Sequence, residues 1–289
     1  MNEARTIPIH KMNGLGNQIV IADLRQSTVT LNGSHASQIA QHPRTHFDQL
    51  MALVPAKSPG TEAFIEIFNQ DGSTAGACGN GMRCVGLVMQ ESGSSATYET
   101  SAGLLPVQRD QANILTVDMG EPRLRWDEIP LRDEFHDTTR IELQIGPIDD
   151  PVLHSPSVCS MGNPHAIFWV PDVETPALEK FGPLLENHPI FPDRANITIA
   201  HVLHDEHVRT RTWERGAGLT EACGSAACAT LVCGARLGYL KRSATVSVPG
   251  GDLQIEWTEA GRVLMSGPAE HEYQGEVTIA DDGSVEINI

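Results

Sequence analysis

One sequence pattern occurs twice in the chain and constrains its fold more than any other feature. The stretches STAGACGNGMRCVG (73–86) and GLTEACGSAACATL (218–231) each carry a cysteine, a glycine and a small polar residue ahead of a helix-like apolar segment. Cys223 follows Cys78 by 145 positions. An internal duplication preserves such an offset at more than one place, so the repeat can be tested at other positions.

Three further pairs of polar residues keep nearly this offset, and they are Asn17 with Asn163 (146 positions), Gln49 with Asn196 (147) and Asn69 with Glu214 (145). Both members of the third pair stand nine residues before a repeated cysteine. Chance does not readily preserve four spacings, so we expect two similar halves related by a pseudo-twofold axis. Such an axis would bring equivalent elements face to face.

Outside the repeated motifs, most of the chain has the pattern of short strands. Apolar and polar residues alternate, and Gly, Pro, Asn and Asp separate the runs. Ser34 is predicted to cap one helix, and Thr175, which precedes Pro176, to cap another. The helices after the two cysteine motifs are apolar nearly all round, which is typical of helices enclosed by other elements.

The predicted fold class is therefore α+β, with two pseudo-symmetric halves. Each half is a mainly antiparallel β-roll or barrel wrapped around a central helix, with the substrate site in the cleft between them. A segment rich in proline and charge, EPRLRWDEIP (121–130), marks the boundary. We predict an N-terminal half over 1–124, a C-terminal half over 125–272, and a final strand over 273–289 that returns to the first half.

The charge of the chain narrows the classes of partner. Its formal net charge is −17, and no Lys/Arg run exceeds the pair Lys241-Arg242, so its field would repel nucleic acid and anionic membranes. No apolar run approaches the roughly 18 residues that span a bilayer, and the N-terminus lacks an apolar signal-peptide region. We expect a cytoplasmic protein with reduced cysteines and with neither nucleic-acid nor membrane partners.

The repeated cysteines suit proton transfer on both faces of one carbon atom. A helix N-terminus lowers the pKa of an adjacent cysteine and offers N–H donors to a carboxylate. If two such helix ends face each other, a bound amino acid has one thiol on each side of its α-carbon. One cysteine as thiolate would remove the α-proton and the other as thiol would deliver a proton to the opposite face, which inverts the centre.

Pyridoxal phosphate could stabilise the carbanion formed in such a reaction, but it requires a Schiff-base lysine. Only Lys11, Lys57, Lys180 and Lys241 occur, and none adjoins a phosphate-binding glycine loop. We therefore expect a site without cofactor or metal, which depends on preorganised donors and the exclusion of water.

Two other classes of protein are alternatives. A zinc site could use Cys223, Cys228 and Cys233, but at ~100° per residue these positions differ by about 140° around one helix. A thiol-redox protein normally has a C-x-x-C motif, which the sequence lacks. The cysteines outside the repeated motif, which include Cys84 and Cys159 as well as Cys228 and Cys233, are interpreted as small buried hydrophobic residues.

The chain resembles the diaminopimelate epimerase family, which is related to proline racemase. The resemblance spans nearly the whole chain through the motifs KMNGLGN, FDQ, FNQDGSTAGACGNGMRC, MGNPHAIF, RANI, WERGAGLTEACGSAACA and GPAE. It implies a homodimeric, cofactor-independent isomerase that interconverts LL- and meso-2,6-diaminopimelate for lysine and peptidoglycan precursor synthesis. Racemisation of another amino acid by the same two-cysteine route is the alternative.

The resemblance also implies roles for individual residues. The residues implied in catalysis are Cys78, Cys223, His165 and Glu214. The residues implied in substrate binding are Asn17, Gln49, Asn69, Gly79, Asn80, Asn163, Asn196, Glu214, Arg215, Gly224 and Ser225. Arg215 can bind a distal carboxylate through its forked guanidinium. The alternatives are a structural His165, turn-forming asparagines, and an ordinary ion pair between Glu214 and Arg215.

Four positions depart from the usual motifs of the family. Gln18 and Ile19 follow Asn17 where Asp-Phe is frequent, Ala226 stands at a common glycine, and Leu219 replaces a frequently acidic residue. Both repeated cysteines are unaffected, so these departures bear on the choice of substrate rather than on the chemistry.

Overall fold

The computed structural model describes residues 5–280 and 282–289. The chain divides into two compact units: unit 1 extends to Val117 and resumes over Gly267–Ile289, and unit 2 is Asp118–Ser266. Both crossings lie slightly before the boundaries expected from the sequence, at 124/125 and 272/273. Asp118, the first residue of unit 2, forms an ion pair with Arg262 of the same unit.

Unit 1 begins with eight strands and two helices. In chain order these are β1 (Arg5–Gly14), β2 (Asn17–Asp23), α1 (Gly33–Gln41), β3 (Gln49–Val54), β4 (Phe64–Asn69), β5 (Thr74–Ala75), α2 (Gly79–Met89), β6 (Ser95–Thr100), β7 (Gly103–Arg109) and β8 (Leu115–Asp118). β1 is antiparallel to β2, β2 parallel to β3, and β3 antiparallel to β4. β4 is antiparallel to β5 and parallel to β6. β7 is antiparallel to β6, and β8 is antiparallel to β7.

Unit 2 repeats this order of pairings. Its elements are β9 (Gln144–Ile145), β10 (Leu153–His154), β11 (Ser157–Ser160), β12 (Pro164–Trp169), α3 (Leu178–Glu186), β13 (Asn196–His204), β14 (His207–Glu214), β15 (Gly218–Thr220), α4 (Gly224–Arg236), β16 (Ser243–Val248), β17 (Gly251–Trp257) and β18 (Val263–Gly267). The strand pairs from β11 to β18 are parallel or antiparallel in the same order as those from β1 to β8. The parallel pairs of unit 2 are β12–β13 and β14–β16. β9 and β10 form a separate two-stranded sheet.

The end of the chain belongs to unit 1. β19 (Glu270–Ile279) lies antiparallel to β1, and β20 (Val285–Asn288) lies antiparallel to β19. The register between β1 and β19 shifts between Lys11 and Met12, so this edge contains a bulge.

Each unit encloses one helix. α2 packs against β1, β2, β3, β7 and β19, and α4 packs against β11, β12, β13, β16 and β17. In α4 every residue from Ala226 to Gly234 is buried. The close approach depends on small residues: a Cβ atom on Gly86 of α2 would lie 2.7 Å from a methyl carbon of Val107. The predicted α+β fold, a mainly antiparallel sheet around a central helix in each half, is confirmed.

The other two helices cover further faces of the strands. α1 contributes Ala36 and Ile39 to a buried cluster that includes Val20 of β2. α3 contributes Leu178 and Leu185 to an equivalent cluster in unit 2. Central strands are thus buried on both faces, which explains why their sequences are almost continuously apolar.

The starts of these two helices differ from the predicted ones. Asn32 rather than Ser34 caps α1, because its Oδ1 accepts the backbone N–H three residues on, at 3.0 Å. Thr175 does not cap α3; its hydroxyl donates to Asp172 at 2.9 Å, and the helix begins after Ala177 with no side-chain cap. A side chain can cap a helix only at the residue where the helix begins. The sequence pattern placed the start of both helices a few residues from the observed start.

Across 5–280 and 282–289, no helix is both long enough and apolar enough to cross a membrane.

Candidate active site

Cys78 lies at the N-terminus of the enclosed helix of unit 1. It is the N-cap residue of α2, with an extended backbone, and is partly exposed. Its Sγ atom accepts a hydrogen bond from the backbone N–H of Gly81 at 3.2 Å. This donor and the positive end of the helix dipole both favour a thiolate at Cys78.

Two amide oxygens oppose this influence on Cys78. Sγ lies 3.9 Å from Oδ1 of Asn17 and 3.6 Å from Oε1 of Gln49, and the single S–H of the thiol can donate to either oxygen. Asn17 begins β2 and Gln49 begins β3, and these parallel neighbours place both residues at one edge of the sheet. The sequence-predicted residues Asn17, Gln49 and Cys78 are therefore brought together.

The remaining predicted residues of unit 1 lie around the same edge. Asn69 ends β4, is the register partner of Gln49, and donates through Nδ2 to Ser73 at 3.0 Å. Gly79 is the first residue of α2, and Asn80 is buried on its first turn. The Oδ1 atom of Asn80 accepts a hydrogen bond from Arg83 at 3.0 Å, which holds the side chain along the helix.

Gly81 is a neighbour of Cys78 that the sequence analysis did not select. A Cβ atom at Gly81 would lie 2.6 Å from Sδ of Met51 and 3.2 Å from Sγ of Cys78. To make room for such a Cβ atom, the terminal atoms of the Met51 side chain or the start of α2 would have to move. The sequence offered one indication, because Gly81 lies inside the repeated motif. The neighbour that a larger side chain would contact is Met51 of β3, which is distant in sequence.

Cys223 occupies the equivalent place in unit 2. It is the N-cap residue of α4, and only 6% of it is exposed. Its Sγ lies 3.6 Å from the hydroxyl of Ser225, one residue after Gly224 at the helix start. Burial raises the pKa of the Cys223 thiol well above its ordinary value, and the carboxylate of Glu214 adds to the rise.

Glu214 and Asn196 lie at adjoining strand ends near Cys223. Glu214 ends β14, and its Oε1 accepts a hydrogen bond from Thr220 at 2.7 Å. Asn196 begins β13; its Nδ2 donates to the carbonyl of Pro164 at 3.0 Å, and its Oδ1 accepts from the backbone N–H of Arg215 at 3.0 Å. Asn196 thus fixes the backbone that carries Arg215.

His165 is fully buried on β12, directly beside Asn196 in the register of β12 and β13. Burial, assisted by the cation of Arg215, lowers the pKa of His165 to about 3, so the imidazole is neutral near pH 7. Its Nε2 lies 2.8 Å from Oδ1 of Asn163, which requires the proton on Nε2. In the described part of the chain its Nδ1 has no hydrogen-bond partner.

Arg215 lines a cavity of about 420 Å³ within unit 2. Its Nη1 donates to the carbonyl of Asp193 at 2.9 Å, and Arg123 lines the same cavity. The backbone of Arg123 is bridged to Ser160 by two hydrogen bonds of 2.9 Å. Arg123 is not among the sequence-predicted site residues, because it lies in the segment 121–130 that was predicted to be the boundary between the two halves.

A second cavity of unit 2, of about 580 Å³, contains none of the predicted site residues. On its wall the hydroxyl of Ser247 lies between Nε2 of His207, at 2.8 Å, and Oδ1 of Asp252, at 2.6 Å. A nucleophilic serine requires the histidine in the middle position, so this arrangement does not activate Ser247.

The other cysteines and one candidate metal group agree with structural roles. Cys84 is buried, and burial raises the pKa of its thiol to about 12. Cys159, Cys228 and Cys233 are also buried, as interpreted from the sequence. Among the described residues one group of three could hold a metal ion, the exposed His204–Glu206 turn. Both of its carboxylates are already bound by Lys241, at 2.8 and 3.3 Å.

The fold defines the class of protein to which the chain is similar. A hydroxyproline epimerase from Agrobacterium vitis matches with a TM-score of 0.66 at 17% identity, over 98% of this chain and 96% of that one. A phenazine biosynthesis protein of the PhzF family from Bacillus anthracis gives 0.65 at 16% identity, over 95% and 100%. At these identities the likeness shows the fold alone, the two-unit architecture of racemases and epimerases.

The sequence comparison identifies the family. The family model of diaminopimelate epimerase matches residues 9–125 and 157–272. The diaminopimelate epimerase of Afipia carboxidovorans is 61% identical over 269 residues, covering 92% of this chain and 93% of that one, and the enzyme of Rhodopseudomonas palustris BisB18 is 57% identical over 278 residues, covering 95% and 96%. The chain belongs to the diaminopimelate epimerase family, and it is an isomerase.

Proposed function

We propose that this isomerase interconverts LL- and meso-2,6-diaminopimelate by moving a proton between two cysteines, Cys78 and Cys223, without pyridoxal phosphate or a metal ion. The observation that carries the proposal is the equivalent placement of the two thiols. Each is the N-cap residue of its unit's enclosed helix, with polar side chains at the ends of corresponding strands.

The reaction requires one cysteine on each face of the α-carbon. The thiolate of one accepts the α-proton, so the C–H electron pair remains as a carbanion beside the carboxylate. The thiol of the other donates its proton to the opposite face, and the carbanion becomes a new C–H bond. The two sulfur atoms have exchanged protonation states, and the reverse reaction uses them in the opposite roles.

The helix ends supply the stabilisation that the carbanion needs. N–H donors at the starts of α2 and α4 are suited to hold the reacting carboxylate, where negative charge develops. We assign this contact to Gly79 and Asn80 in unit 1 and to Gly224 and Ser225 in unit 2. A preorganised donor requires no reorientation during proton transfer, so it lowers the barrier rather than only the affinity.

The polar strand ends are assigned to the rest of the substrate. Asn17, Gln49, Asn69, Asn163 and Asn196 would bind its polar groups, and Glu214 would bind an ammonium group. Neutral His165 holds Asn163 at 2.8 Å and is assigned a role at the reacting end.

Arg215 is assigned to the distal carboxylate. It lines a cavity together with a second arginine, Arg123, and with three acidic residues, Asp127, Glu128 and Asp193. The two guanidinium groups support recognition of a diacid. An amino acid with a single carboxylate would leave this guanidinium without its ligand. The cavity therefore favours diaminopimelate over racemisation of a monocarboxylic amino acid.

The surroundings of the four lysines support chemistry without a Schiff base. Lys11 donates to Gln18 and to the carbonyl of His46. Lys57 and Lys180 lie over the rings of the phenylalanines Phe64 and Phe181, and Lys241 binds two carboxylates. None of these amines lies among the groups assigned to the reacting carbon.

The expected setting is a cytoplasmic homodimer that binds a small amino acid and neither nucleic acid nor membranes. All six cysteines are free thiols, which suits a reducing compartment, and the net charge of −17 disfavours polyanionic partners. Light scattering coupled to size exclusion would test the dimer, and a monomeric mass at micromolar concentration would contradict it.

The function is tested with purified protein dialysed against a chelator and given no cofactor. We expect it to convert LL-diaminopimelate to the meso isomer and the reverse, monitored by chiral chromatography. The same preparation is incubated in heavy water with a panel of monocarboxylic amino acids and assayed for α-proton exchange. Exchange on a member of the panel with no turnover of diaminopimelate would replace the proposed substrate but keep the two-cysteine route.

A further inference from the structure

Asp48 lies directly before β3, and its carboxylate gathers three donors at the edge of the sheet. Oδ2 accepts hydrogen bonds from Nδ2 of Asn17 at 3.1 Å and from the backbone N–H of Gln18 at 2.8 Å. Oδ1 accepts from Nε2 of Gln70 at 3.3 Å. The backbone N–H of Asp48 donates to the carbonyl of Gln18 at 2.7 Å, so the residue is fixed at both main chain and side chain.

This arrangement decides which way the Asn17 amide points. An ionised carboxylate only accepts hydrogen bonds, so the atom of Asn17 that faces Asp48 must be the NH₂ group. The amide oxygen is then directed to the other side, where it lies 3.9 Å from Sγ of Cys78. Without Asp48 the amide could rotate and present its NH₂ group to the sulfur instead.

The direction of this amide matters for the protonation of Cys78. A thiol can donate its S–H to an amide oxygen, whereas a thiolate is repelled by the oxygen and attracted by an NH₂ group. The Gly81 N–H at 3.2 Å favours the thiolate. The Asn17 oxygen, together with the Gln49 oxygen at 3.6 Å, therefore opposes the influence of the helix N-terminus.

We propose that Asp48 is a positioning residue for Cys78: by holding the Asn17 amide with its oxygen toward the sulfur, it favours the thiol form of Cys78 in the ligand-free enzyme. Asp48 acts through Asn17 and is not itself assigned a contact with the reacting carbon. The proposal takes its catalytic meaning from the role of Cys78 under the proposed function, but the protonation state can be measured without turnover.

Charged and titratable groups on neighbouring elements act on the same region. They are Lys11 of β1, Glu272 of β19, and Arg83 and Cys84 of α2 itself. Burial lowers the pKa of Lys11, and the charges of Glu272 and Asp48 oppose that change, so the ammonium and the Asp48 carboxylate attract each other. These groups are present in every variant below, so differences between variants report on Asp48 and Asn17.

The test is the pH dependence of Cys78 alkylation by iodoacetamide in the full-length, substrate-free protein, measured by mass spectrometry of the Cys78 peptide. Asp48→Ala should lower the midpoint by about one pH unit, because no side-chain oxygen then holds the NH₂ group of Asn17 and the amide can turn that group to the sulfur. Asn17→Ala, which leaves Asp48 in place, should lower the midpoint in the same direction. Asp23→Asn, which removes a carboxylate paired with Arg25 at the far end of β2, should leave it unchanged.

A double variant separates positioning from the direct effect of the Asp48 charge. If Asp48 acts through Asn17, adding Asp48→Ala to Asn17→Ala should give no further shift. A full second shift would show that the carboxylate acts by its own field, and an unchanged midpoint in Asn17→Ala would refute the role of the oxygen; either result overturns the proposal. If Asp48→Ala unfolds, as checked by circular dichroism, Asp48→Ser takes its place in the cycle, and an unchanged midpoint in Asn17→Ala still overturns the proposal. If the alkylation midpoints shift as expected but the unmodified enzyme does not turn over diaminopimelate, the result counts against the proposed function only.

Discussion

The backbone N–H of Gly81 donates a hydrogen bond to Sγ of Cys78 across 3.2 Å. The corresponding residue of unit 2, 145 positions later, is Ala226. Burial raises the pKa of Cys223, and the backbone N–H of Ala226 opposes that rise. In unit 1 this contact is a capping hydrogen bond, whereas the side chain of Cys223 makes no capping hydrogen bond at the start of α4.

The difference between Gly81 and Ala226 is explained by the strand beneath the helix. A side chain at Gly81 would meet Met51 at 2.6 Å and Cys78 at 3.2 Å. The position that corresponds to Met51, by the 147-residue offset of its strand, is Thr198, which is smaller. A small neighbour accounts for the alanine in unit 2.

Gly81→Ala should lower kcat/KM by about tenfold or more, because small displacements of a catalytic group are costly. Adding Met51→Thr, which reproduces the combination found in unit 2, should restore most of the activity. Gly76→Ala is the matched control, since its Cβ would meet nothing closer than 3.6 Å. Steady-state kinetics in both directions measures the effect, and equal losses at positions 76 and 81 would show that the close contact is unimportant.

Replacing either proposed base should stop turnover without unfolding the protein. Cys78→Ala and Cys223→Ala should each reduce kcat by about a thousandfold or more, the scale of a lost general acid or base. Cys233→Ala, which changes a buried cysteine on the same helix as Cys223, should keep most of the activity. Near-normal turnover in a folded Cys78 or Cys223 variant would remove that residue from the mechanism.

The two thiols should differ in reactivity in the substrate-free protein. Cys223 is buried and its pKa is raised by burial and by Glu214, whereas Cys78 is partly exposed. At pH 8 iodoacetamide should therefore label Cys78 at least about ten times faster than Cys223. Glu214→Gln should lower the pH midpoint of Cys223 labelling while leaving that of Cys78 unchanged. Equal labelling rates would show that Cys223 is not shielded.

The neutral state of His165 should make the fold sensitive to acid. Burial lowers the pKa of His165 in the folded protein to about 3, whereas the ordinary pKa of a histidine is 6.5. Between these values the unfolded chain binds the additional proton, so the free energy of unfolding from this group falls by about 1.4 kcal/mol for each unit that the pH is lowered. Above pH 6.5 both states are neutral and this group adds no pH dependence.

His165→Gln should therefore flatten the pH dependence of urea unfolding between pH 6.5 and 4. Glutamine can still donate to Asn163, so the hydrogen bond to that residue is conserved. His136→Gln, which changes an exposed histidine, should leave the profile as in the natural protein. A wild-type slope in the His165 variant would mean that another group carries the acid sensitivity.

Sequence periodicity was enough to predict the architecture, because a duplicated motif specifies equivalent places in two units. Asn17, Gln49 and Asn69 stand at strand ends of unit 1, and their partners Asn163, Asn196 and Glu214 stand at the corresponding places of unit 2. Four shared offsets could be recognised without knowing the fold, since a duplication preserves spacing even where residue types change.

What the sequence did not predict depends on contacts between distant segments. Gly81 is needed because Met51 lies beneath it, and Asp48 matters because β2 and β3 are parallel neighbours. Ser34 was predicted as the cap of α1 in place of Asn32, because serine and asparagine are both favoured N-cap residues and stand two positions apart. Arg123 was not predicted because it lies in the segment predicted as the boundary, and its bridge to Ser160, which also lines the cavity, joins positions distant in sequence. The roles given to the site residues stay predictions.

The central claim is that two different groups handle the α-proton, and isotope exchange tests it most directly. LL- and meso-diaminopimelate are incubated separately with the enzyme in heavy water, and substrate and product are analysed before five per cent conversion. With a thiol on each face, the product should carry deuterium at the inverted carbon while the recovered substrate carries almost none. Early deuterium in both would contradict the account, because a single base that exchanges with solvent returns its label to either face.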